Sequence, residues 1–340
     1  MIEIAEYLPA QPNLLWKLAR QAGVNHAVGQ LPRDAAESER PWDFMPLMRM
    51  QQRFEAAGYT LSVIESSPPM QQIRLGLPGR DEEIAWFNTL LQNMGALGIP
   101  VLCYNFMAVF GWLRTATTLP ARGGALVTGY DDAVMRNAPL TEYGEVSEER
   151  LWDNFRYFLD HVLPVAEKAK VKLALHPDDP PLSPIRGIGR IMRTVEAFQR
   201  VIDMAPSPYN GLTMCQGNFT LMTNDLPAVI RHFGAQQKIF FVHFRDVQGT
   251  PDHFVETFHE AGKTDMLACM RVYREIGFEG VLRPDHVPTL EGDSNDAPCY
   301  SNVGRLLAIG YITGLREAFY GRPAHAHSAT PDHEIEAVRS

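Results

Sequence analysis

Cysteine is scarce in this chain: four in 340 residues, Cys103, Cys215, Cys269 and Cys299, with no CxxC pair. That excludes a disulfide framework and is what reduced thiols in a cytoplasmic protein look like. Long apolar runs are missing too. No stretch approaches the roughly 18 residues of a membrane span, and the amino-terminal MIEIAEYLPAQPNLLWKLARQ has no basic leader followed by an apolar core. A cytoplasmic protein with no membrane partner is expected. Positive charge is also short: 31 Lys and Arg against 40 Asp and Glu leave a formal charge of -9. Nucleic acid is therefore not an expected partner, although a local basic pocket could still hold a small anion. Neither GxGxxG nor GxxxxGK[ST] follows an early strand, so the phosphate-cradling loops of nucleotide-binding sheets are absent, and GIGR (187–190) is too short to replace them.

What is present is the composition of a globular protein with a substantial core, 45% hydrophobic and 21% charged. Apolar, β-rich runs recur at 26–29, 60–65, 100–106, 172–176, 211–215, 239–244, 254–259 and 280–285. Most intervals carry helical patterning, at 86–98, 151–169, 195–205, 226–234 and 266–278. In 151–169 the residues Leu151, Phe155, Phe158, Leu159, Val162 and Val165 recur at spacings of three or four, which predicts one buried helix face. Buried strands alternating with amphipathic helices, in a count near eight, predict an α/β fold: a single (β/α)8 barrel over residues 1–320. Segments 107–147 and 287–299 lack periodicity and follow strands, so both are expected as excursions over the mouth of the barrel. The polar, proline-punctuated tail 321–340 is expected to be a mobile end or an oligomer contact, its His325, His327 and His333 solvated.

Four of the strand-like runs end in metal-ligand types: LALHPDDPP, LTMCQGN, FVHFRD and LRPDH place His176, Cys215, His243 and Asp285 at strand ends. Successive gaps of 39, 28 and 42 residues each leave room for a helix and the return to a parallel neighbour. A barrel would gather the four at one mouth, and imidazole, thiolate and carboxylate together suit a divalent transition metal. Asp178 and Asp179 after His176 read either as turn residues capping backbone donors or as supports for a metal-bound imidazole. Arg245, just past a buried strand, needs a mouth or a partner. In Arg283-Pro284-Asp285-His286, side-chain alternation lets one of the last two residues ligate while the other moves protons, the competing explanation for Asp285 being an ion pair with Arg283 or Arg245.

The ordered segments CYNFMAVFGWLRT (103–115), ALHPDDPP (174–181), TMCQGN (213–218), VHFRD (242–246), FHEAGKTDM (258–266), RPDH (283–286) and CYSNVGR (299–305) resemble the mannonate dehydratase family across most of the chain. The resemblance implies a barrel of the xylose-isomerase-like type. It implies dehydration of D-mannonate to 2-keto-3-deoxy-D-gluconate with a divalent metal, Mn2+ foremost, with Fe2+, Co2+ or Zn2+ as alternatives. It assigns His176, Cys215, His243 and Asp285 as metal ligands and His286 and Tyr300 as proton-transfer residues. Departures from the family pattern fall at Gly111 and Ala116, where the family carries aspartates, at Val287 in place of glycine, in TMCQGN, and in a shortened insertion after the third strand.

Removing the proton next to a carboxylate accumulates charge that a Lewis acid stabilises, while an acid must help the C3 hydroxyl leave; an imidazole and a phenol suit these tasks. Arg114, Arg245 and Arg283 are candidates for the sugar-acid carboxylate, Arg245 foremost, because a guanidinium holds a carboxylate through two parallel bonds. Asn105, Trp112 and Asn218 are candidates for the pocket wall. The alternatives are a metal-dependent isomerase or epimerase on a related sugar derivative, and a non-catalytic metal or sugar-acid binding protein. The expected partner is a small-molecule sugar acid, and homo-oligomerisation is left open.

Overall fold

In the computed structural model, which describes residues 1–321, eight parallel strands close into a barrel with helices outside it. In chain order the strands are β1 (Glu3–Leu8), β2 (His26–Gly29), β3 (Thr60–Ile64), β4 (Val101–Asn105), β5 (Ala116–Pro120), β6 (Leu126–Asp131), β7 (Lys172–His176), β8 (Asn210–Cys215), β9 (Ile239–Phe244), β10 (Val247–Thr250), β11 (His253–Glu256) and β12 (Val281–Pro284). The barrel runs β1-β12-β9-β8-β7-β4-β3-β2 and closes on itself; β10-β11-β6-β5 form a separate antiparallel sheet. The expected barrel is therefore present. The tail beyond residue 321, with its three histidines, lies outside the described residues.

Membership of the barrel differs from the expectation in one strand. The run 254–259 is not a barrel strand: only Pro251 and Asp252 separate β10 from β11, so the two form an antiparallel hairpin, and the Arg245-Asp246 step after β9 leaves no room for a crossover helix. The place is taken by β1, whose apolar pattern is broken by Glu3 and Glu6. Glu6 is buried and is matched by Arg305, whose Nη1 lies 3.2 Å from Oε1. Excursion 107–147 is also more regular than its sequence indicates, because β5 and β6 satisfy their backbone groups by pairing with each other and with β11. The 287–299 segment joins the same sheet through an antiparallel bridge from Thr289 to Leu126.

The barrel interior is filled by Ala5, Val28, Val63, Val101, Cys103, Ala174, Phe240, Phe241 and Val281, mostly small or branched side chains that close the bore. The second and larger core lies between strands and helices. The helix Glu148–Ala169 shows how it is built: Ser147 accepts from Arg150 N at the N-cap, Leu151, Phe155, Phe158, Leu159 and Val162 are buried as the spacing predicts, and Lys170 closes it in a left-handed conformation. Val165 is half-buried at the margin. Among the described residues no helix is long and apolar enough to cross a membrane.

Candidate metal and proton-transfer site

Parallel pairing aligns neighbouring strand ends. Cys215 pairs in register with His243 and His243 with Arg283, and His176 separately with Asn105, so β4, β7, β8, β9 and β12 carry these side chains at or next to their carboxyl ends, at the mouth. Ligand atoms of His176, Cys215 and His243 lie within 4.8 Å of one another. Asp285, one residue past β12, brings Oδ2 to 3.8 Å from Cys215 Sγ and 3.6 Å from His243 Nδ1.

The two imidazoles turn different nitrogens toward the centre. His176 Nδ1 donates to the Pro177 carbonyl at 2.7 Å, leaving Nε2 to ligate. His243 Nε2 lies 3.3 Å from Glu65 Oε2, leaving Nδ1 toward Asp285. Neither nitrogen of His243 has a hydrogen-bond partner, although the residue is 1% exposed. Buried polar atoms in that condition are rare and costly, so the orphaned imidazole in a nitrogen, sulfur and oxygen donor set fits a bound metal. Burial, the largest influence on His176, lowers its pKa and favours the neutral, ligating form. Burial alone would raise the Asp285 carboxyl, yet His286, Arg283, His243 and Arg245 hold it well below the ordinary range.

His286 and Tyr300 stand beside these four residues. His286 Nδ1 lies 2.8 Å from Glu256 Oε1, and Nε2 lies 3.9 Å from Asp285 Oδ1. Tyr300 packs edge-on to the His286 ring at 5.6 Å, and burial followed by the charge of Asp285 pushes its phenol well above the usual range. A cleft opens here, lined by both residues and by Glu65, Ser66, Ser67, Tyr104, Asn105, Met107, Trp112, His176, Asp179, His243, Arg283 and Asp285 among others.

The three arginines are placed differently from one another. Arg283 lines the cleft, but it is matched by Glu65 at 2.8 and 3.0 Å and by Asp285 at 2.9 Å. Arg114 and Arg245, expected against the substrate carboxylate, stand behind the wall. Arg114 pairs with both oxygens of Asp179, at 2.5 and 3.1 Å, and with Glu256. Arg245 reaches Asp179 and Asn218 at 2.8 Å, both oxygens of Glu256 at 3.0 Å, and Asp285 at 2.8 Å. Asn218 is behind the wall as well, its Oδ1 accepting from Arg245 and its Nδ2 donating to the Asp178 carbonyl. The reason is electrostatic: a buried guanidinium is tolerated where carboxylates surround it, and Asp179, Glu256 and Asp285 supply them from three different segments. Asn105 and Trp112 do line the cleft, Asn105 accepting from Arg74 at 3.0 Å and Trp112 packing on His286 at 5.4 Å. Asp178 accepts from Met192 N at 2.7 Å and faces Arg190, so the acidic pair after His176 braces its loop and the arginines.

Two carboxylates at the site were not singled out from the sequence. Glu65 follows β3 directly, so the strand-end criterion that selects His176 would have found it. With Cys103 and His243 it forms a second group of closely spaced donors, but its carboxylate is committed to Arg283. Glu256 lies at the end of β11, and only the three-dimensional pairing of its hairpin brings it to His286.

The family model for D-mannonate dehydratase (UxuA) matches residues 7–142 and 136–324. The chain is 36% identical over 304 residues to mannonate dehydratase 2 of Halalkalibacterium halodurans, covering 82% of this chain and 88% of that one. It is likewise 36% identical over 312 residues to the mannonate dehydratase of Thermotoga maritima, covering 82% and 86%. The crystal structure of mannonate dehydratase from Streptococcus suis serotype 2 matches with a TM-score of 0.86 at 32% identity, over 100% of this chain and 98% of that one. A D-psicose 3-epimerase from Clostridium cellulolyticum H10 shares the fold alone, with a TM-score of 0.59 at 13% identity over 94% and 99% of the two chains.

Proposed function

From the premise that the chain belongs to the mannonate dehydratase family, and is a hydro-lyase acting on D-mannonate, we propose how its residues divide the work. His176, Cys215, His243 and Asp285 hold a divalent metal, Mn2+ by family resemblance, and His286 and Tyr300 move the protons. The observation that carries this is the convergence of four ligand side chains around an orphaned buried imidazole, with His286 and Tyr300 sharing the cleft with them.

When bound, the metal supplies Lewis-acid stabilisation of the charge that develops next to the substrate carboxylate. His286 offers Nε2, on the side of the ligands, to take the proton from C2. Tyr300, its phenol kept protonated by burial and by Asp285, donates to the departing C3 hydroxyl, which leaves as water. The resulting enol gains a proton at C3 and becomes the 2-keto-3-deoxy acid. Asn105 and Trp112 face the polyol chain, and Arg283 keeps Asp285 ionised while presenting the one guanidinium that lines the cleft among the described residues. Arg114, Arg245 and Asn218 form the frame behind it. Four free cysteines and the family resemblance support a reducing, cytoplasmic setting in hexuronate breakdown.

Cys215→Ser tests the metal site. The expected result is loss of stoichiometric metal together with loss of conversion of D-mannonate to a product lighter by one water. Full metal content and undiminished turnover in that variant would overturn the assignment.

A further inference from the structure

Glu256 belongs to the antiparallel sheet rather than to the barrel, yet its side chain is 3% exposed and bonds His286 Nδ1 at 2.8 Å. An ionised carboxylate only accepts, so Nδ1 of a neutral His286 carries the hydrogen. Arg245, at 3.0 Å from both oxygens, and Arg114 surround the same carboxylate and keep it ionised. The ring is also confined. Trp112 packs against it at 5.4 Å and 72°, Tyr300 at 5.6 Å and 82°, so it cannot turn over without losing the bond to Glu256.

We propose that Glu256 is a positioning residue for the proton transfer: it fixes His286 as the Nδ1–H tautomer and leaves a bare Nε2 facing the metal ligands and substrate. The proposal rests on His286 being the group that accepts the C2 proton. A purely structural Glu256 would serve only to neutralise Arg114 and Arg245. Oε1 takes Nδ1, Arg114 and Arg245 together while Oε2 takes Arg245 alone, so Glu256→Gln with its amide nitrogen toward Nδ1 drives the hydrogen to Nε2 and gives up the Arg114 contact, while its amide oxygen still accepts from Arg245. Glu256→Asp keeps an acceptor for Nδ1 on a shorter arm.

Nitrogen-15 NMR of histidine-labelled full-length protein loaded with Zn2+, with the His286 signals identified by their loss in His286→Asn, reads the tautomer directly. Nδ1 protonated and Nε2 bare in the parent, reversed in Glu256→Gln, is the expected result. In the manganese enzyme, Glu256→Gln is expected to lose about 10²–10⁴ in kcat with little change in KM, and Glu256→Asp to recover part of that loss. A parent protein with Nε2 protonated overturns the proposal even if Glu256→Gln fails to fold. So does a Glu256→Gln enzyme with unchanged kcat while His286→Asn is inactive. If His286→Asn itself keeps full kcat, the assignment of His286 falls first and the positioning role with it.

Discussion

Arg245→Met removes a charge from the most crowded point of the molecule while keeping most of the side-chain volume. The guanidinium is fully buried and faces three carboxylates, Asp179 at 2.8 Å, Glu256 at 3.0 Å and Asp285 at 2.8 Å. Deleting one member of a buried ionic group costs about 3–5 kcal/mol, because its partners stay buried without compensation. Each of the three carboxylates keeps one other guanidinium, Arg114 for Asp179 and Glu256 and Arg283 for Asp285. The expectation is therefore the lower part of that range, still a large share of the roughly 5–15 kcal/mol typical of a folded domain. Urea unfolding of the metal-free protein at pH 7 measures it without a contribution from altered metal affinity. Arg245→Lys should fall between the two, since an ammonium restores charge but not the fork that reaches all the partners. Acid supplies the second check. Burial alone would raise the Glu256 carboxyl, but Arg245, His286 and Arg114 depress it from 4.5 to about 2. A depressed carboxyl contributes stability that is fully present above pH 4.5 and is lost as the pH falls toward 2. The difference between parent and Arg245→Met should accordingly narrow as the pH drops through that window. A difference under about 1 kcal/mol at pH 7, or one that widens on acidification, would refute the electrostatic account.

Gly217→Ala tests the same cluster by crowding rather than by charge. A Cβ at 217 would lie 2.6 Å from the Arg245 guanidinium carbon, and a side chain pinned by several partners has nowhere to retreat, so a loss of about 1–3 kcal/mol in urea unfolding is expected; unchanged stability would mean that Arg245 is free to move. Stripping metal with a chelator should abolish turnover, restored on adding Mn2+, and should also lower the unfolding free energy relative to protein held at a hundredfold excess over Kd by about 2.7 kcal/mol. Thermal or urea midpoints that ignore the chelator would argue against a metal bound by the folded state.

The barrel and the strand-end positions of the proposed ligands were legible in the sequence because both depend on short-range pattern. A buried parallel strand is a short apolar run, and the residue that ends it faces the mouth, which is enough to mark His176, Cys215, His243 and Asp285. Pairing partners are not short-range. Nothing local to FVETFH distinguishes a barrel strand from one arm of a hairpin, and Glu3 and Glu6 disguise β1 because the cation that makes Glu6 tolerable, Arg305, lies at the other end of the chain. The arginines show the same limit. Their guanidiniums were recognisable as anion binders, but which anion each meets depends on a carboxylate from another loop: Asp179 for Arg114, Glu256 for Arg245, Glu65 for Arg283.

The small antiparallel sheet takes β5 and β6 from the segment after the fourth strand of the chain and β10 and β11 from the segment after the ninth, and its middle contact is the pairing of Phe254 with Tyr130. These two insertions are a single structural part, although the chain encodes them far apart. Recombining barrels of this type loop by loop would separate β11 from its partner strand and take Glu256 away from the cleft. A chimera that is to keep its chemistry must exchange both insertions together.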